Sequence, residues 1–289
     1  MEKGIHIDEG LFLGWFGPFT SPLSESKVIK MRIEINKKQM LDALKNVELK
    51  GKWSSVSGLS SKGIGNYVQF RIVNNSLLLC NSDESTTAVK AINVETEDAG
   101  SFVVDIETVR KYLSKMGDVL KIVVDDTVVI TSEGKKATMP IVVNHPYEGR
   151  IERFLEYWPF TFNVEMDSLL KFGSVHIDAG FQITGTHLKE AITACEVVNN
   201  GIYKLNYICG DDVVNDKLVL SSNKQISSYE EDVSISHSTG DSSTVSFSGP
   251  LHKFFNDDEI INVYIGDDQP ILMVSNSNSA IVRAPRLDV

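Results

Sequence analysis

Pairs of neighbouring aspartates are the residues in this sequence that most directly suggest chemistry. Carboxylates that bind two metal ions can support phosphodiester hydrolysis. Three of the four pairs lie where hairpin turns are predicted, and aspartate is common in turns because its side chain bonds to the local backbone. A turn role is therefore favoured, and a metal-dependent nuclease is kept as an alternative. The pairs are Asp125-Asp126, Asp211-Asp212, Asp257-Asp258 and Asp267-Asp268.

The histidines and cysteines are not spaced as metal ligands. The six histidines show no H-x-x-x-H pair, and Cys80, Cys195 and Cys209 show no C-x-x-C spacing. An odd number of cysteines also argues against a disulfide framework and fits a reducing compartment. The glycine-rich loop Ser61–Gly65 lacks the pattern of a phosphate-binding loop. We therefore expect no catalytic residue, no metal and no cofactor.

From Met31 onward, strand and helix patterns follow in a fixed order. The strand Arg32–Ile35 alternates, and Asn36 is a good N-cap for the helix that follows. That helix carries an apolar stripe at helical spacing, formed by Met40, Ala43, Leu44 and Val47. Further strands are predicted at Tyr67–Val73, Ser76–Cys80 and Thr87–Val94, with a hairpin turn at Asn74-Asn75.

The same order of elements returns three more times. The second occurrence of this order has strand Ser101–Val104, helix Ile106–Met116, and strands Leu120–Val124, Thr127–Ser132 and Ala137–Val142. The second half begins with strand Phe181–Thr184, a helix from His187 and strands Tyr203–Ile208 and Lys217–Ser221. The last occurrence has strand Val245–Ser248, helix Pro250–Asn256 and strands Ile260–Ile265, Ile271–Val274 and Ala280–Arg283. The halves form an internal repeat.

This order predicts an α+β fold of two similar domains. We assign residues 31–144 to the first domain, 145–180 to a connector and 181–289 to the second domain. In the connector, Phe160–Val164 and Met166–Phe172 could add a strand and a helix, and the second domain could then begin earlier. Residues 1–30 differ in composition, with an apolar, aromatic stretch at Gly10–Phe19. We interpret them as a tag or flexible extension, or alternatively as a peptide that docks on a partner.

The net charge of −11 does not by itself identify a partner. A duplex DNA ligand is highly negative, but a small basic surface can bind it on an otherwise acidic protein. No apolar run reaches the ~20 residues of a membrane-spanning helix.

In its order of motifs, the chain resembles the DNA sliding clamps. The opening Met31–Ile35 and the apolar pattern of Leu41–Val47 resemble the first strand and helix of a bacterial β-clamp domain. The stretch Leu77–Glu84 resembles a clamp strand that ends in a polar turn with an acidic residue. The ending Ala284–Leu287 is similar to the close of proliferating cell nuclear antigen (PCNA) and of bacterial clamps.

The resemblance implies a DNA-clamp fold in which each domain has two helices packed on antiparallel sheets. Six such domains close a ring, so two per chain imply a homotrimer around double-stranded DNA. The helices would line the hole and hold phosphates without reading the sequence. The basic residues expected to face DNA are Lys37, Lys38, Lys45, Arg110, Lys111, Lys115, Lys189 and Lys253. On helices of any other protein they would be read as solvated faces.

The resemblance also implies a docking site for short peptides of a DNA polymerase and a clamp loader. It would lie beside the connector and the C-terminal tail, at Ala284, Pro285, Arg286, Leu287, Tyr157 and Trp158. The connector aromatics could instead form the core of a longer linker. The function expected is an intracellular, non-enzymatic processivity factor that acts on DNA. A monomeric or dimeric viral processivity factor of the same fold, without ring closure, is the main alternative.

Overall fold

The protein is described by a computed structural model that covers residues 31–49, 67–96, 98–161, 169–198, 201–211 and 215–286. The predicted leader, residues 1–30, lies outside this range, as do Leu287 and the side chain of Trp158. No helix within the range is long and apolar enough to cross a bilayer.

We call the two similar halves of the chain the first unit and the second unit. The first unit contains two helices and eight strands in the order that the sequence repeat predicts. They are β1 (Met31–Asn36), α1 (Lys37–Val47), β2 (Tyr67–Val73), β3 (Ser76–Ser82), β4 (Thr86–Asn93), β5 (Gly100–Asp105), α2 (Ile106–Leu113), β6 (Val119–Val124), β7 (Thr127–Ser132) and β8 (Lys135–Pro140). A helix of the connector, α3 (Glu148–Thr161), follows.

The second unit repeats this order with one added strand. Its elements are β9 (Ala179–Thr184), α4 (Gly185–Glu196), β10 (Ile202–Ile208), β11 (Lys217–Lys224), β12 (Ser227–Val233), β13 (Ser236–Gly240), β14 (Ser243–Ser248), a 3₁₀ helix (Leu251–Phe254), β15 (Ile260–Ile265), β16 (Ile271–Ser275) and β17 (Ser279–Arg283). The added strand is β13, which pairs with β9.

Capping residues and turn residues explain where two of the helices begin and where one hairpin turns. The side-chain oxygen of Asn36 accepts a hydrogen bond from the backbone N–H of Lys38 at 2.8 Å, which caps α1 as predicted. Thr184 caps α4 in the same way. Asn74 and Asn75 both have positive φ, 49° and 61°, so the predicted tight hairpin turn is confirmed.

The strands form three antiparallel sheets that show the internal repeat. A four-stranded sheet, β1-β6-β7-β8, belongs to the first unit, and another, β12-β11-β10-β14, belongs to the second. The remaining strands form one nine-stranded sheet in the order β13-β9-β15-β16-β17-β4-β3-β2-β5. Strand β17 of the second unit pairs with β4 of the first, from Ser279↔Lys90 to Arg283↔Thr86. We call this β4–β17 pairing the seam.

Single backbone hydrogen bonds also occupy equivalent places in the two units. After β8, the N–H of Val142 donates to the carbonyl of Val103 on β5 at 2.9 Å. After β17, the N–H of Arg286 donates to the carbonyl of Ser246 on β14 at 2.7 Å. The halves therefore match in chain tracing as well as in strand order.

The central strands of the nine-stranded sheet are buried on both faces. On β3, Leu77 and Leu79 belong to the main core, which also contains the buried stripe of α1. Leu78 and Cys80 point to the opposite face, where α3 covers a second apolar cluster. The continuous apolar run of β3 is typical of a strand covered on both faces.

The structure corrects several sequence predictions. The helix predicted at Pro250–Asn256 is a short 3₁₀ helix, Leu251–Phe254, whose buried Leu251 and Phe254 are spaced three residues apart, as 3₁₀ geometry favours. Strands β12 and β13 were not predicted because they are polar, and only Val233 is buried along β12. In the connector, residues 160–161 end a helix, and 169–172 are not helical, so the strand and helix suggested there are wrong at those positions.

Candidate functional site

Four helical segments form one continuous layer across both units. Helix α1 contacts α2 on one side and the 3₁₀ helix on the other, and the 3₁₀ helix contacts α4. The order within the layer is therefore α2, α1, 3₁₀ helix, α4. Helix α1 packs its apolar stripe toward β3 and β4 and leaves Lys38, Asp42 and Lys45 exposed.

The basic residues predicted in the first unit lie on or beside this layer. Lys38, Lys45, Lys111 and Lys115 are exposed. Lys37 instead donates from Nζ to the carbonyl of Met116 at 2.8 Å. This bond ties the start of α1 to the turn after α2.

Arg110 forms an ion pair within the layer. Its Nη1 lies 2.6 Å from Oε2 of Glu48, just beyond α1, and both side chains are about one-third exposed or less. The pair joins the end of α1 to α2. Arg110 therefore has a positioning role in the layer, and its charge is partly neutralised.

The second unit contributes little net positive charge to the layer. Lys189 on α4 is exposed, but its Nζ lies 2.7 Å from Oδ2 of Asp257. Lys253 on the 3₁₀ helix is exposed, and Asp257 and Asp258 follow it four and five residues later. The layer is thus basic at α1 and α2 and net acidic at α4, where Glu190 and Glu196 outnumber Lys189.

Beneath the layer, buried polar contacts hold the seam together. Lys90 on β4 donates from Nζ to the carbonyl of Ser277 at 2.6 Å and to its hydroxyl at 2.8 Å. Asn46 on α1 donates to Ser279 Oγ at 3.1 Å. Burial lowers the pKa of Lys90, while Glu259 and Asp42 act in the opposite direction. These contacts fix the position of α1 relative to the second unit.

At the end of the seam, Arg283 is buried among hydroxyl groups. Its guanidinium donates to Thr86 Oγ1 at 2.5 Å, to Ser248 Oγ at 2.7 Å and to the hydroxyl of Ser85. Burial lowers the pKa of Arg283 to about 10, and nearby Asp83 opposes that shift. One side chain thus joins β4, β14 and β17.

The start of the connector is bound to the loop between β3 and β4. Arg150 donates from Nη1 to the carbonyl of Asp83 at 2.6 Å, and Tyr147 Oη donates to Glu84 at 3.2 Å. His145 is buried, with Nε2 at 3.2 Å from Asn81 Oδ1. Sequence reasoning missed this cluster, although the polar run after β3 was a visible signal for it.

The predicted partner residues fall at separate places. Ala284, Pro285 and Arg286 are half-buried, and the N–H of Ala284 donates to the carbonyl of Ser85 at 2.8 Å, so the tail lies beside the start of α3. Tyr157 lies about two turns further along α3, where its ring packs on Phe172 with centroids 5.0 Å apart. Leu287 and the side chain of Trp158 lie outside the described part.

The connector aromatics inside the described part belong to a core. Phe154 is buried and packs on Phe172, with ring centroids 5.7 Å apart. Leu155 is partly buried against the same cluster. Phe154 is therefore part of the core of the connector, and Tyr157 is partly buried against the same cluster.

The acidic pairs within the described part lie at separate turns. Asp125 and Asp126 connect β6 and β7, and the pair at 267–268 connects β15 and β16. Asp267 Oδ1 accepts a bond from the N–H of Thr244 at 2.7 Å, which is a local structural role. Among the described residues, no group of three or more His, Cys, Asp or Glu side chains is arranged to hold a metal ion.

Sequence and structure comparisons differ in what they detect. No protein-family model and no curated protein sequence match this chain. Among solved structures, a putative DNA polymerase III β subunit of Eubacterium rectale superposes with a TM-score of 0.67 at 14% identity, covering 93% of this chain and 68% of that one. The DNA polymerase III β subunit of Thermotoga maritima gives 0.65 at 15% identity, covering 94% and 68%. This chain has the DNA sliding-clamp fold.

The clamp of an archaeon matches this chain over nearly its whole length. A. fulgidus PCNA, in a structure with the C-terminal region of FEN-1 bound, superposes with a TM-score of 0.63 at 8% identity. The match covers 89% of this chain and 99% of the PCNA chain. The predicted clamp-type α+β fold is confirmed, and the two-unit length of this clamp-fold chain agrees with PCNA better than with the longer β subunits.

Proposed function

We propose that this chain is a subunit of a DNA sliding clamp, a non-enzymatic processivity factor that encircles duplex DNA. The observation that carries the proposal is the layer α2, α1, 3₁₀ helix, α4, which presents Lys38, Lys45, Lys111 and Lys115 to solvent. Long, exposed ammonium groups bind phosphates without geometric selectivity. Such contacts hold DNA and let it slide.

The salt dependence of DNA binding tests this assignment. The variant Lys38→Gln/Lys45→Gln/Lys111→Gln/Lys115→Gln should bind duplex DNA more weakly. The slope of log K against log salt should fall by about 0.9 for each lysine that contacts a phosphate. Fluorescence anisotropy with two unrelated duplex sequences measures both quantities.

A matched control separates the layer from net charge. The substitutions Lys121→Gln, Lys171→Gln, Lys204→Gln and Lys224→Gln remove four exposed lysines that lie off the four helical segments. This control should keep the unmodified slope. If the two variants lost DNA affinity and slope equally, the layer would not be the surface that faces DNA.

Ring closure is supported by the repeat itself. Within the chain, the last strand of the second unit (β17) pairs with β4 of the first. The equivalent strands of the other two sheets are β8 and β12, and each has a strand neighbour on one side only among the described strands. We propose that β8 of one copy pairs with β12 of the next, which repeats the seam between chains.

The two free edges are complementary in charge. Strand β8 carries exposed Lys135 and Lys136, and β12 carries Glu230, Glu231 and Asp232. Opposite charges on paired strands favour one register, and like charges would disfavour pairing of two identical edges.

An exposed isoleucine marks the same edge. Ile226 is fully exposed at the turn that leads into β12. If β8 of one copy pairs with β12 of the next as β17 pairs with β4, Ile226 would lie opposite the end of β8, near Met139 and Pro140. Large apolar residues that are exposed on a single chain are typical of surfaces that are covered on assembly.

Cross-linking tests closure and counts the copies. Lys135→Cys combined with Glu230→Cys, and in a second variant with Glu231→Cys, is placed in a Cys209→Ser background. Mild oxidation should give covalent species that end at three copies, about three times the 32.0 kDa of one chain. The control is Lys121→Cys with Glu230→Cys, which should give no ladder. A ladder without an end, or none for either register, contradicts closure.

One observation favours the open alternative. The Lys189–Asp257 pair leaves the α4 end of the layer with little free positive charge. A monomer or dimer could hold DNA on α1 and α2 alone. Retention on circular DNA that is lost when the DNA is linearised supports the ring, and equal loss from both supports the open form.

We further propose that polymerases and a clamp loader dock through short peptides at Ala284, Pro285, Arg286, Leu287, Tyr157 and Trp158. The tail next to the start of α3 supports this role for Ala284–Arg286. The protein would then act inside the cell, on DNA. Pull-down with the tail removed after Arg283 tests the assignment, and unchanged capture of a polymerase would exclude the tail.

A further inference from the structure

The sheet β1-β6-β7-β8 presents apolar side chains to solvent. Along its strands, alternate residues are buried in the main core and the others point outward. We call the outward side of this sheet the first-sheet face. On β6 it presents Val119 and Val123, which are 47% and 41% exposed. Val123 pairs with half-buried Val129 of β7, and Thr138 of β8 continues the same row.

The equivalent side of the second four-stranded sheet is polar. On its strands β10, β11 and β12, Ile208 is the one exposed apolar residue that points to solvent. Lys217 and Asp232 on the same side form an ion pair at 2.8 Å. An antiparallel sheet with one solvated side normally carries polar residues there. The valines of the first-sheet face are therefore not required by the repeated fold, and a cover that is specific to the first unit accounts for them.

The chain itself contains an apolar segment that can reach this face. Residues 1–30 directly precede β1, which is an edge strand of the same sheet. The eleven residues between Phe19 and Met31 can span up to about 36 Å. A four-stranded sheet of this size is about 14 Å wide and about 20 Å long, so every part of it is within reach. Gly10–Phe19 supplies the large apolar residues Leu11, Phe12, Leu13, Trp15, Phe16 and Phe19.

The charges of the two parts are also complementary. The outward residues of β1 and β6 include two cations, Arg32 and Lys121, and one carboxylate, Glu34, which lies 3.6 Å from Lys121 Nζ. Asp8 and Glu9 come directly before the apolar segment. An apolar patch with a net basic rim fits an apolar segment with an acidic flank.

We propose that residues 10–19 dock on the first-sheet face of their own chain. The large apolar side chains of the segment would cover Val119, Val123 and Val129, and the acidic flank would lie toward the cations of β1 and β6. Of the two interpretations of residues 1–30, this is the docking peptide, with the chain's own sheet as its partner. The helical layer and the edges of β8 and β12 stay open, so the proposal stands or falls separately from DNA binding and ring closure.

Trp15 lies within the segment and reports its docking. In a Trp53→Phe/Trp158→Phe background, it is the single tryptophan of the full chain. Acrylamide should quench its fluorescence at least threefold more slowly than that of a synthetic peptide of residues 8–20, with both rates corrected for the fluorescence lifetime. Equal quenching rates in the chain and the peptide would refute docking.

Matched variants of the two sheets locate the docking surface. Val119→Glu/Val123→Glu should raise the quenching rate of Trp15 to that of the free peptide. The control Ile208→Glu changes an apolar residue with the same 41% exposure as Val123 on the other sheet, and it should leave Trp15 protected. Cooperative urea unfolding shows that each variant is folded. Protection that survives in the double valine variant would place the segment elsewhere and overturn the proposal.

A change in the segment itself gives a test that does not touch the sheet. Phe12→Ser/Phe16→Ser should also bring the quenching of Trp15 to the rate of the free peptide. Protection in the unmodified segment should not change on a hundredfold dilution, because a segment tethered to its own binding face has a fixed effective concentration. Protection that is lost on dilution would show docking on a second copy and would contradict the assignment to the same chain.

Discussion

Two buried side chains, one at the seam and one at the start of the connector, show how single residues fix the arrangement of the elements. Arg283 supplies one guanidinium to three hydroxyl groups on β14 and on the β3–β4 loop and its following strand. His145 fixes the beginning of the connector against Asn81. Both were unremarkable in the sequence, because neither arginine at a strand end nor an isolated histidine indicates burial.

Replacement of Arg283 should destabilise the chain strongly. Arg283→Ala leaves Ser85, Thr86 and Ser248 without their donor in a buried place, and the loss should be about 2–4 kcal/mol of unfolding free energy. Urea denaturation measures it. The control Arg32→Ala removes an exposed arginine and should change stability by less than about 0.5 kcal/mol.

His145 should make stability depend on pH in acid. Burial lowers its pKa from the ordinary value of 6.5 to about 4, and a hydrogen bond with the backbone of Tyr67 opposes the shift. The unfolded chain therefore binds the proton first as the pH falls. The contribution of His145 is complete above about pH 6.5 and is lost progressively between there and pH 4.

The comparison of His145 with glutamine isolates this effect. Between pH 7 and pH 4.5, the unmodified chain should lose roughly 2–3 kcal/mol more than His145→Gln, which keeps a hydrogen-bonding side chain without the titration. Denaturation curves at the two pH values provide the measurement. Parallel losses in both proteins would show that His145 is not the titrating group.

At the scale of secondary-structure elements, segments with a strong hydrophobic periodicity were predictable from the sequence, and polar edge strands were not. Helix α1 followed from its apolar stripe and its Asn36 cap, and α4 followed from its apolar stripe; both stripes are buried. Strand β12 was missed because an edge strand with one buried residue has no alternation to detect. Helix α3 was missed because its sequence does not favour a helix, and the sheet beneath it supplies the stabilising contacts.

The contact between α4 and the segment after the 3₁₀ helix should tolerate no added atom. A Cβ at Gly185 would lie 1.9 Å from the carbonyl oxygen of Asn256. Gly185→Ala should therefore cost about 1–3 kcal/mol and weaken DNA binding by shifting the helical layer. Thermal unfolding and anisotropy test both effects, and the exposed Thr193→Ala on the same helix should leave both unchanged.

At the scale of the whole molecule, the internal repeat is the basis of the proposed junction between copies. A chain that already joins one unit to the next through β4 and β17 offers the same geometry at β8 and β12. In the proposed junction, the lysines of β8 would face the acidic residues of β12, so the edge of one copy would pair with the opposite edge of the next.

Charge reversal should control assembly in both directions. Lys135→Glu/Lys136→Glu should leave the protein as single chains in sedimentation, because β8 would then repel β12 of the next copy. Adding Glu230→Lys/Glu231→Lys to the same chain exchanges the charges of both edges. Copies of this variant should assemble with one another but not with the unmodified protein. Assembly that persists in the first variant would place the junction elsewhere.

The sequence by itself determined the repeated order of strands and helices, the apolar stripes of α1 and α4, the cap of α1, and the basic residues on α1 and α2. These features follow from local periodicity and capping, which depend on near neighbours along the chain. Only the tertiary structure decided that the sheets join at β4 and β17, that Arg110 and Lys189 are ion-paired, and that α3 covers the second apolar cluster. Those outcomes depend on contacts between residues up to two hundred or so positions apart, for which no local pattern exists.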